Sequence, residues 1–190
     1  MMKPADFIRD YIKTHEGGLS LDPVDHGNWH NGVLVGSNFG VTGDVLAKAR
    51  QVNKVTPADM AALTLDEAVS IGCRLFYAMP HFDLLPWDPA VASVLDMGWG
   101  AGPGQAIKLL QRMIGANDDG QLGPYTARLY RSYVADHGIE ATARAYGDVR
   151  IAFYSRIIAI HPSNEKYRKG WRNRAISFLP GTPWWRRFVA

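Results

Sequence analysis

The chain has 190 residues, 47% of them hydrophobic and 21% charged, a balance that fits one globular domain or two small ones with a sizeable core. No apolar run approaches the ~18 residues a membrane span needs, and the single cysteine, Cys73, excludes an internal disulfide and any multi-cysteine metal site. The net charge of +3 is uneven: residues 1–85 hold 7 Lys and Arg against 10 Asp and Glu, residues 86–190 hold 14 against 8, and most of the basic excess lies after Arg144.

A basic half suits an anionic partner such as nucleic acid, a lipid surface or an acidic wall polymer, and it equally suits a solvated helix face. At the N-terminus, Asp6 and Arg9 stand where a signal peptide would carry its apolar core. The expectation is synthesis in the cytoplasm without a classical export signal.

Pro4 to His15 reads as a helix, because Phe7, Ile8, Tyr11 and Ile12 form one apolar stripe. Gly17 and Gly18 follow, and a left-handed glycine stop is expected there. Glu16 then sits at the negative end of the helix dipole. That location, and any burial in a cleft, disfavours the ionised carboxylate and suits a general acid. The plainer alternative is an exposed residue beside a helix end.

From Leu19 to Thr42 no helical period holds. Gly27, Gly32, Gly36 and Gly40 punctuate a loop with one small β-hairpin around Val33-Leu34-Val35 and room for a further short strand at 38–41. Asp25, nine positions after Glu16, can fold back to face it as a second carboxylate, or serve only as a turn former. His26 and His30 have a metal-like spacing, but they span Gly27 and Asn28 in a loop and lack a third ligand, so no metal and no cofactor is expected.

Helices then follow closely. Thr42 caps 43–50. Thr56-Pro57-Ala58-Asp59 opens a second, and Thr64-Leu65-Asp66-Glu67 is a capping box opening a third to about Tyr77, with Ala68, Ile71, Cys73, Leu75 and Phe76 as core candidates and Cys73 as a buried thiol. The Pro-rich stretch 79–87 is the one candidate boundary, dividing residues 1–80, with the Glu-Gly-Gly stretch and the hairpin, from a helical region 86–190; its shortness favours packing as one compact unit. A helix from Pro89 carries Val91, Val94 and Leu95 and is followed by four glycines at 98, 100, 102 and 104. The next starts at Pro103 with Ala106, Leu109, Leu110 and Met113 as a core stripe.

A turn at 118–123 leads into a helix at Pro124. Residues 139–161 form one long helix that Pro162 ends, with Ala143, Tyr146, Arg150, Phe153 and Ile157 along one side. A last helix, 166–178, precedes the tail Trp184-Trp185-Arg186-Arg187. The pattern is mainly α: about eight helices and one hairpin near the front.

His15-Glu16-Gly17-Gly18, Asp22-Pro23 with Asp25, and Asn38-Phe39-Gly40-Val41-Thr42 resemble the Glu-Gly-Gly, Asp-Pro-x-Asp and Asn-(Tyr/Phe)-Gly-(Ile/Val)-Thr motifs of the phage-type N-acetylmuramidases of glycoside hydrolase family 108. Residues 106–111 and 119–126 resemble the peptidoglycan-binding region that accompanies them. The resemblance covers about 7–175. It implies a lysozyme-like α fold with the active cleft beside the hairpin, and cleavage of the β-1,4 bond between N-acetylmuramic acid and N-acetylglucosamine.

By the same resemblance Glu16 is the catalytic acid, with Asp25 or the Asn38/Thr42 pair orienting water; if Asp25 points away, a lytic transglycosylase using Glu16 alone remains open. The resemblance further implies a phage or prophage endolysin, reaching the wall after holin-dependent release. Two departures stand out. His26–Ser37 replaces a short Gly-Gly-Ala-Thr link, lengthening the hairpin and offering Trp29 as a sugar platform. Gly98-Trp99-Gly100 stands where the family has Asn-x-Gly after the aspartate that is here Asp96.

Tyr77 and Trp99 are further stacking candidates, each also a natural core residue. Gln111, polar on an apolar helix, either meets substrate or caps a neighbouring backbone group. Arg168, Lys169, Arg172, Arg174, Arg186 and Arg187, with Trp171, Trp184 and Trp185, are placed to hold anionic wall polymer or a membrane surface. No nucleic-acid-binding motif accompanies them, and a monomer is expected. The competing classes are a non-catalytic wall-binding or secretion-accessory protein and a basic nucleic-acid or membrane-binding module.

Overall fold

The structure is a computed structural model that describes residues 2–189. The chain is mainly α and lysozyme-like, and it divides into two compact units, residues 3–75 and the chain from Phe76 onward. Among the described residues no helix is long and apolar enough to cross a membrane.

The first unit begins with α1 (Pro4–His15), whose stripe of Phe7, Ile8, Tyr11 and Ile12 is buried. Each such side chain contributes on the order of 1.5–3 kcal/mol. Lys3 N–H donates to Asp6 at the helix start. The expected left-handed glycine stop is absent: Gly17 and Gly18 do not have positive φ, and the helix ends because Glu16 turns extended at φ −103° and ψ 131°. The extended exit lets the chain pair onward. Ser20 and Ser37 exchange both backbone hydrogen bonds, and Phe39 N–H donates to Gly17.

Two hairpins follow where the sequence suggests one. β1 (Trp29–His30) pairs with β2 (Val33–Leu34), and β3 (Ser37–Asn38) pairs with β4 (Val41–Thr42). Asn31-Gly32 and Phe39-Gly40 form their turns, all four residues at positive φ, the tight mirror-image turn that matches strand twist. Asn31-Gly32 is the stronger sequence signal for such a turn; the reading by apolar runs alone passes over it, because the strands are only two residues long.

Three helices complete the unit: α2 (Gly43–Arg50), α3 (Pro57–Ala62) and α4 (Leu65–Gly72). Thr42 accepts from Val45 N–H, and Thr56 and Asp59 form a reciprocal capping box. The box expected at Thr64 is only half made. Thr64 accepts from Glu67 N–H, but the Glu67 carboxylate is taken by Arg50 at 2.9 and 3.0 Å. The helix also stops short of Tyr77, giving way to a π-turn over Cys73–Ala78. Cys73 is half-buried there rather than buried, and desolvation pushes its thiol up. α4 packs on α1.

The second unit is built around α5 (Pro89–Ala101), buried from Pro89 to Gly98 and apolar there except for Ser93 and Asp96, as suits a central core helix. It packs against α6 (Pro103–Met113), α8 (Ile139–Ile160) and α10 (Pro183–Val189). α7 (Pro124–His137) and α9 (Arg168–Ile176) lie on α8. Gly98 and Gly100 lie inside α5, which ends at Gly102, its cap at φ +85°. A Cβ at Gly98 would lie 3.3 Å from the Pro103 α-carbon, and Gly104 lies against the Gly120 backbone.

The tail is also not a free basic segment. It folds into α10, and Trp185 and Phe188 are buried, because an apolar pair three residues apart on a helix seeks a core.

Inside this core lies a buried charge cluster. Arg150 is fully buried and pairs with Asp96, 2% exposed, while Arg174 reaches the other Asp96 oxygen at 3.0 Å. Burial pulls the Arg150 guanidinium down, but the charge of Asp96, with Tyr154 and Tyr146, outweighs it and leaves the group firmly cationic.

Candidate active site

Glu16 is the first residue beyond α1, half-buried, and its N–H still donates to Ile12. The pairing of Gly17 with Phe39 and of Ser20 with Ser37 carries its side chain over the β3–β4 turn. There it lies directly on Gly40: a Cβ at 40 would sit 2.7 Å from Glu16 Cδ and 2.8 Å from Oε2. Gly40 has φ +72°, so the turn and the carboxyl both demand glycine. The Glu-Gly-Gly and Asn-Phe-Gly-Val-Thr stretches are thus one locus in space.

The other residues of the locus come from the same short sheet. Asp25 is exposed and caps a 3-10 turn over His26–Asn28, its Oδ1 accepting from Gly27 N–H at 2.9 Å. Gly27 brings Asp25 and Thr42 together: a Cβ at 27 would lie 3.2 Å from Asp25 Oδ1 and 3.4 Å from the Thr42 methyl. Thr42 is half-buried and caps α2. Asn38 is buried, and its amide donates to Met60 O at 2.9 Å. Asn38 therefore ties the hairpin to α3, while Thr42 and Asp25 share one edge of it.

Trp29 is 40% exposed, with its indole N–H donating to Pro23 O, so the ring is fixed in orientation with its surface open to solvent. An exposed, oriented tryptophan is suited to stacking on a sugar.

Two residues support this locus in roles that the sequence reading does not give them: Asn28 goes unremarked as a candidate, and His30 is weighed there only as a metal ligand. Asn28 is fully buried. Its carbonyl accepts from Val35 and Gly36 N–H, and its side-chain amide donates to Asp22 O and Ser20. It joins the Asp22–Asp25 loop to the hairpin; an asparagine inside an Asp/Gly-rich loop is the one sequence cue. His30 is 6% exposed and uses both ring nitrogens, Nδ1 with Asp44 at 2.6 Å and Nε2 with the Asn31 amide. It braces β1 against α2.

The remaining sequence candidates lie in the second unit. Trp99 stacks on Phe76 at 4.6 Å, and Tyr77 packs with Phe82 and Trp87. Asp96 is committed to its two arginines, and Arg174 is thereby withdrawn from the basic surface. Gln111 is 1% exposed and takes the capping alternative. Its amide donates to Asp119, Gln121 O and Thr126, and its oxygen accepts from Gly120 N–H. The loop at 119–126 is built on this one side chain.

The model of the family described as glycosyl hydrolase 108 matches residues 9–102. A second, described as a predicted peptidoglycan domain, matches residues 105–176. Among solved structures, that of Brucella abortus SagA is similar, with a TM-score of 0.66 and 26% identity over 90% of this chain and 92% of that one. No curated protein matches the chain. With the Glu16 locus inside the first match and the Gln111-braced loop inside the second, the chain belongs to the glycosyl hydrolase 108 family and carries its predicted peptidoglycan domain behind the hydrolase region.

Proposed function

We propose that the protein is an N-acetylmuramidase, a peptidoglycan hydrolase that cleaves the β-1,4 bond between N-acetylmuramic acid and N-acetylglucosamine with Glu16 as general acid. The observation that carries this reading is the seat of the Glu16 carboxyl on Gly40. A carboxyl at a helix C-terminus, held against a glycine turn, is fixed in position yet half open to solvent, as a proton donor to a glycosidic oxygen must be.

Asp25 and Thr42, adjoining across Gly27, are the groups to orient water on the opposite face of the sugar. Trp29 offers its face to the glycan. Residues 1–80 supply the chemistry and 86–190 the hold on peptidoglycan. The exposed Lys169, Arg172 and Arg186 add attraction to anionic wall polymer. An endolysin role, with release to the wall after synthesis in a host cytoplasm, fits this chemistry.

Purified peptidoglycan digested with wild type and with Glu16→Gln, followed by mass analysis, tests the proposal. Reducing N-acetylmuramic ends released by wild type and lost in the variant are expected. Anhydro ends would instead assign Glu16 to a lytic transglycosylase that needs no second group. A wild type that releases nothing from several wall types, yet still pulls them down, would leave a binding protein.

A further inference from the structure

Within the second unit lies a cleft of about 860 Å³, the size of a small-ligand or peptide site. Met79, Leu84, Ile107 and Leu122 give it aliphatic walls, Tyr125 stands 56% exposed at it, and His81 and Asn117 also line it. Two helices open into it. Pro103-Gly104 begins α6 and Pro124-Tyr125-Thr126 begins α7, and neither N-cap, Gly102 or Gly123, has a side chain to accept from the first turn. Both helix N-termini, with the partial positive charge of their first turns, thus border one space.

The wall between them is fixed rather than adaptable. Gln111 holds Asp119, Gly120, Gln121 and Thr126 from beneath, and Gly120 packs so tightly on Gly104 that a Cβ at 120 would lie 3.0 Å from Gly104 O. The Gln121 N–H and the Gln111 amide, helped by Lys108, keep the Asp119 carboxyl below its ordinary range, so one anionic group also lines the cleft.

We propose that this cleft binds the stem peptide of peptidoglycan, its carboxylate at the two helix starts and its ammonium toward Asp119. The inference rests on the peptidoglycan reading above and deepens it by naming the moiety. Charge complementarity selects the occupant. Glycan strands stripped of peptide offer neutral hydroxyls and acetamides, which would leave the two helix N-termini and the carboxylate without charged partners. Stem peptides offer carboxylates, a free amine where they are not cross-linked, and short aliphatic side chains, which match two helix N-termini, one carboxylate and aliphatic walls.

Gly123→Asp separates fold from binding. A Cβ at 123 meets nothing within 4 Å, and φ −122° with ψ 179° is ordinary N-cap backbone. The new carboxylate would cap α7 itself and occupy the ligand's place. The full chain carrying Glu16→Gln, so that substrate is not consumed, is titrated calorimetrically with a synthetic stem tetrapeptide, its C-terminal amide and an N-acetylglucosamine tetramer.

Saturable binding of the tetrapeptide is expected, at least tenfold weaker for the amide. Adding Gly123→Asp should weaken it at least tenfold again while Tm holds or rises and the tetramer signal stays the same. No tetrapeptide binding at millimolar concentration, or equal binding with Gly123→Asp, would overturn the proposal. Digestion of whole peptidoglycan by the unmodified chain without peptide binding would sink this inference alone. Peptide binding without digestion would sink the hydrolase reading and leave this one standing.

Discussion

The Tyr130 hydroxyl lies 2.9 and 2.8 Å from the two carboxylate oxygens of Asp88 and shares its proton between them, fastening α7 to the first turn of α5. Asp88 also accepts from Val91 N–H as the α5 cap. Burial nevertheless dominates: it raises the Asp88 carboxyl to about 6, against the lowering effect of the Val91 and Tyr130 hydrogen bonds.

A carboxyl raised in the folded state is a stability term that favours acid. Below the unfolded value near 4 both states are protonated and the penalty is absent. It grows as pH rises and is complete above 6, reaching up to about 3 kcal/mol. Urea unfolding of wild type and Asp88→Asn across pH 4–7 should show the wild type losing stability relative to the variant over that window. Parallel curves would refute the assignment.

Gly40→Ala should remove activity for two separable reasons. The methyl would overlap the Glu16 carboxyl, and φ +72° costs a non-glycine residue on the order of 1 kcal/mol. Muropeptide release should fall at least tenfold while the chain still unfolds cooperatively. Activity retained within twofold would mean that the carboxyl has another working position.

Asp25→Asn keeps an oxygen to accept from Gly27 N–H, so the loop should hold. If the charge at 25 orients water, release of reducing ends should drop roughly 10²–10⁴-fold, the usual contribution of a general base. Unchanged release would assign Asp25 to the loop alone.

Asp96→Ala leaves the fully buried Arg150 without its counter-charge, and breaking such a pair from one side costs about 3–5 kcal/mol. Chemical denaturation should report a loss of that size. A loss under about 1 kcal/mol would mean that Arg150 finds solvent or another partner.

Much of the helical frame is readable from the chain. Thr42, Thr56-Pro57 and Asp88-Pro89 place helix starts, and the stripe Phe7, Ile8, Tyr11 and Ile12 places a buried face, because caps and periodicity act within a few residues. The Glu16 motif is readable as a motif, but its contact with Gly40 is not. It depends on the register of 16–20 against β3, set by hydrogen bonds between Ser20 and Ser37 that no local pattern encodes. The fate of Glu67, drawn off to Arg50, and of Trp185, drawn into the core, is settled by partners distant in sequence in the same way. Gln111 stands out as a polar residue on an apolar stripe; what it holds is visible only with the loop in place.

The match to the hydrolase family ends at residue 102, yet α5, which ends at Ala101, packs on α6, α8 and α10 of the second compact unit. The seam of ancestry and the seam of packing therefore differ by a whole helix. Recombination at the family border would separate α5 from the helices that cover its ten buried residues, spilling an apolar rod into water. The two matched regions of such a chain are therefore poor candidates for shuffling at that border as independent cassettes.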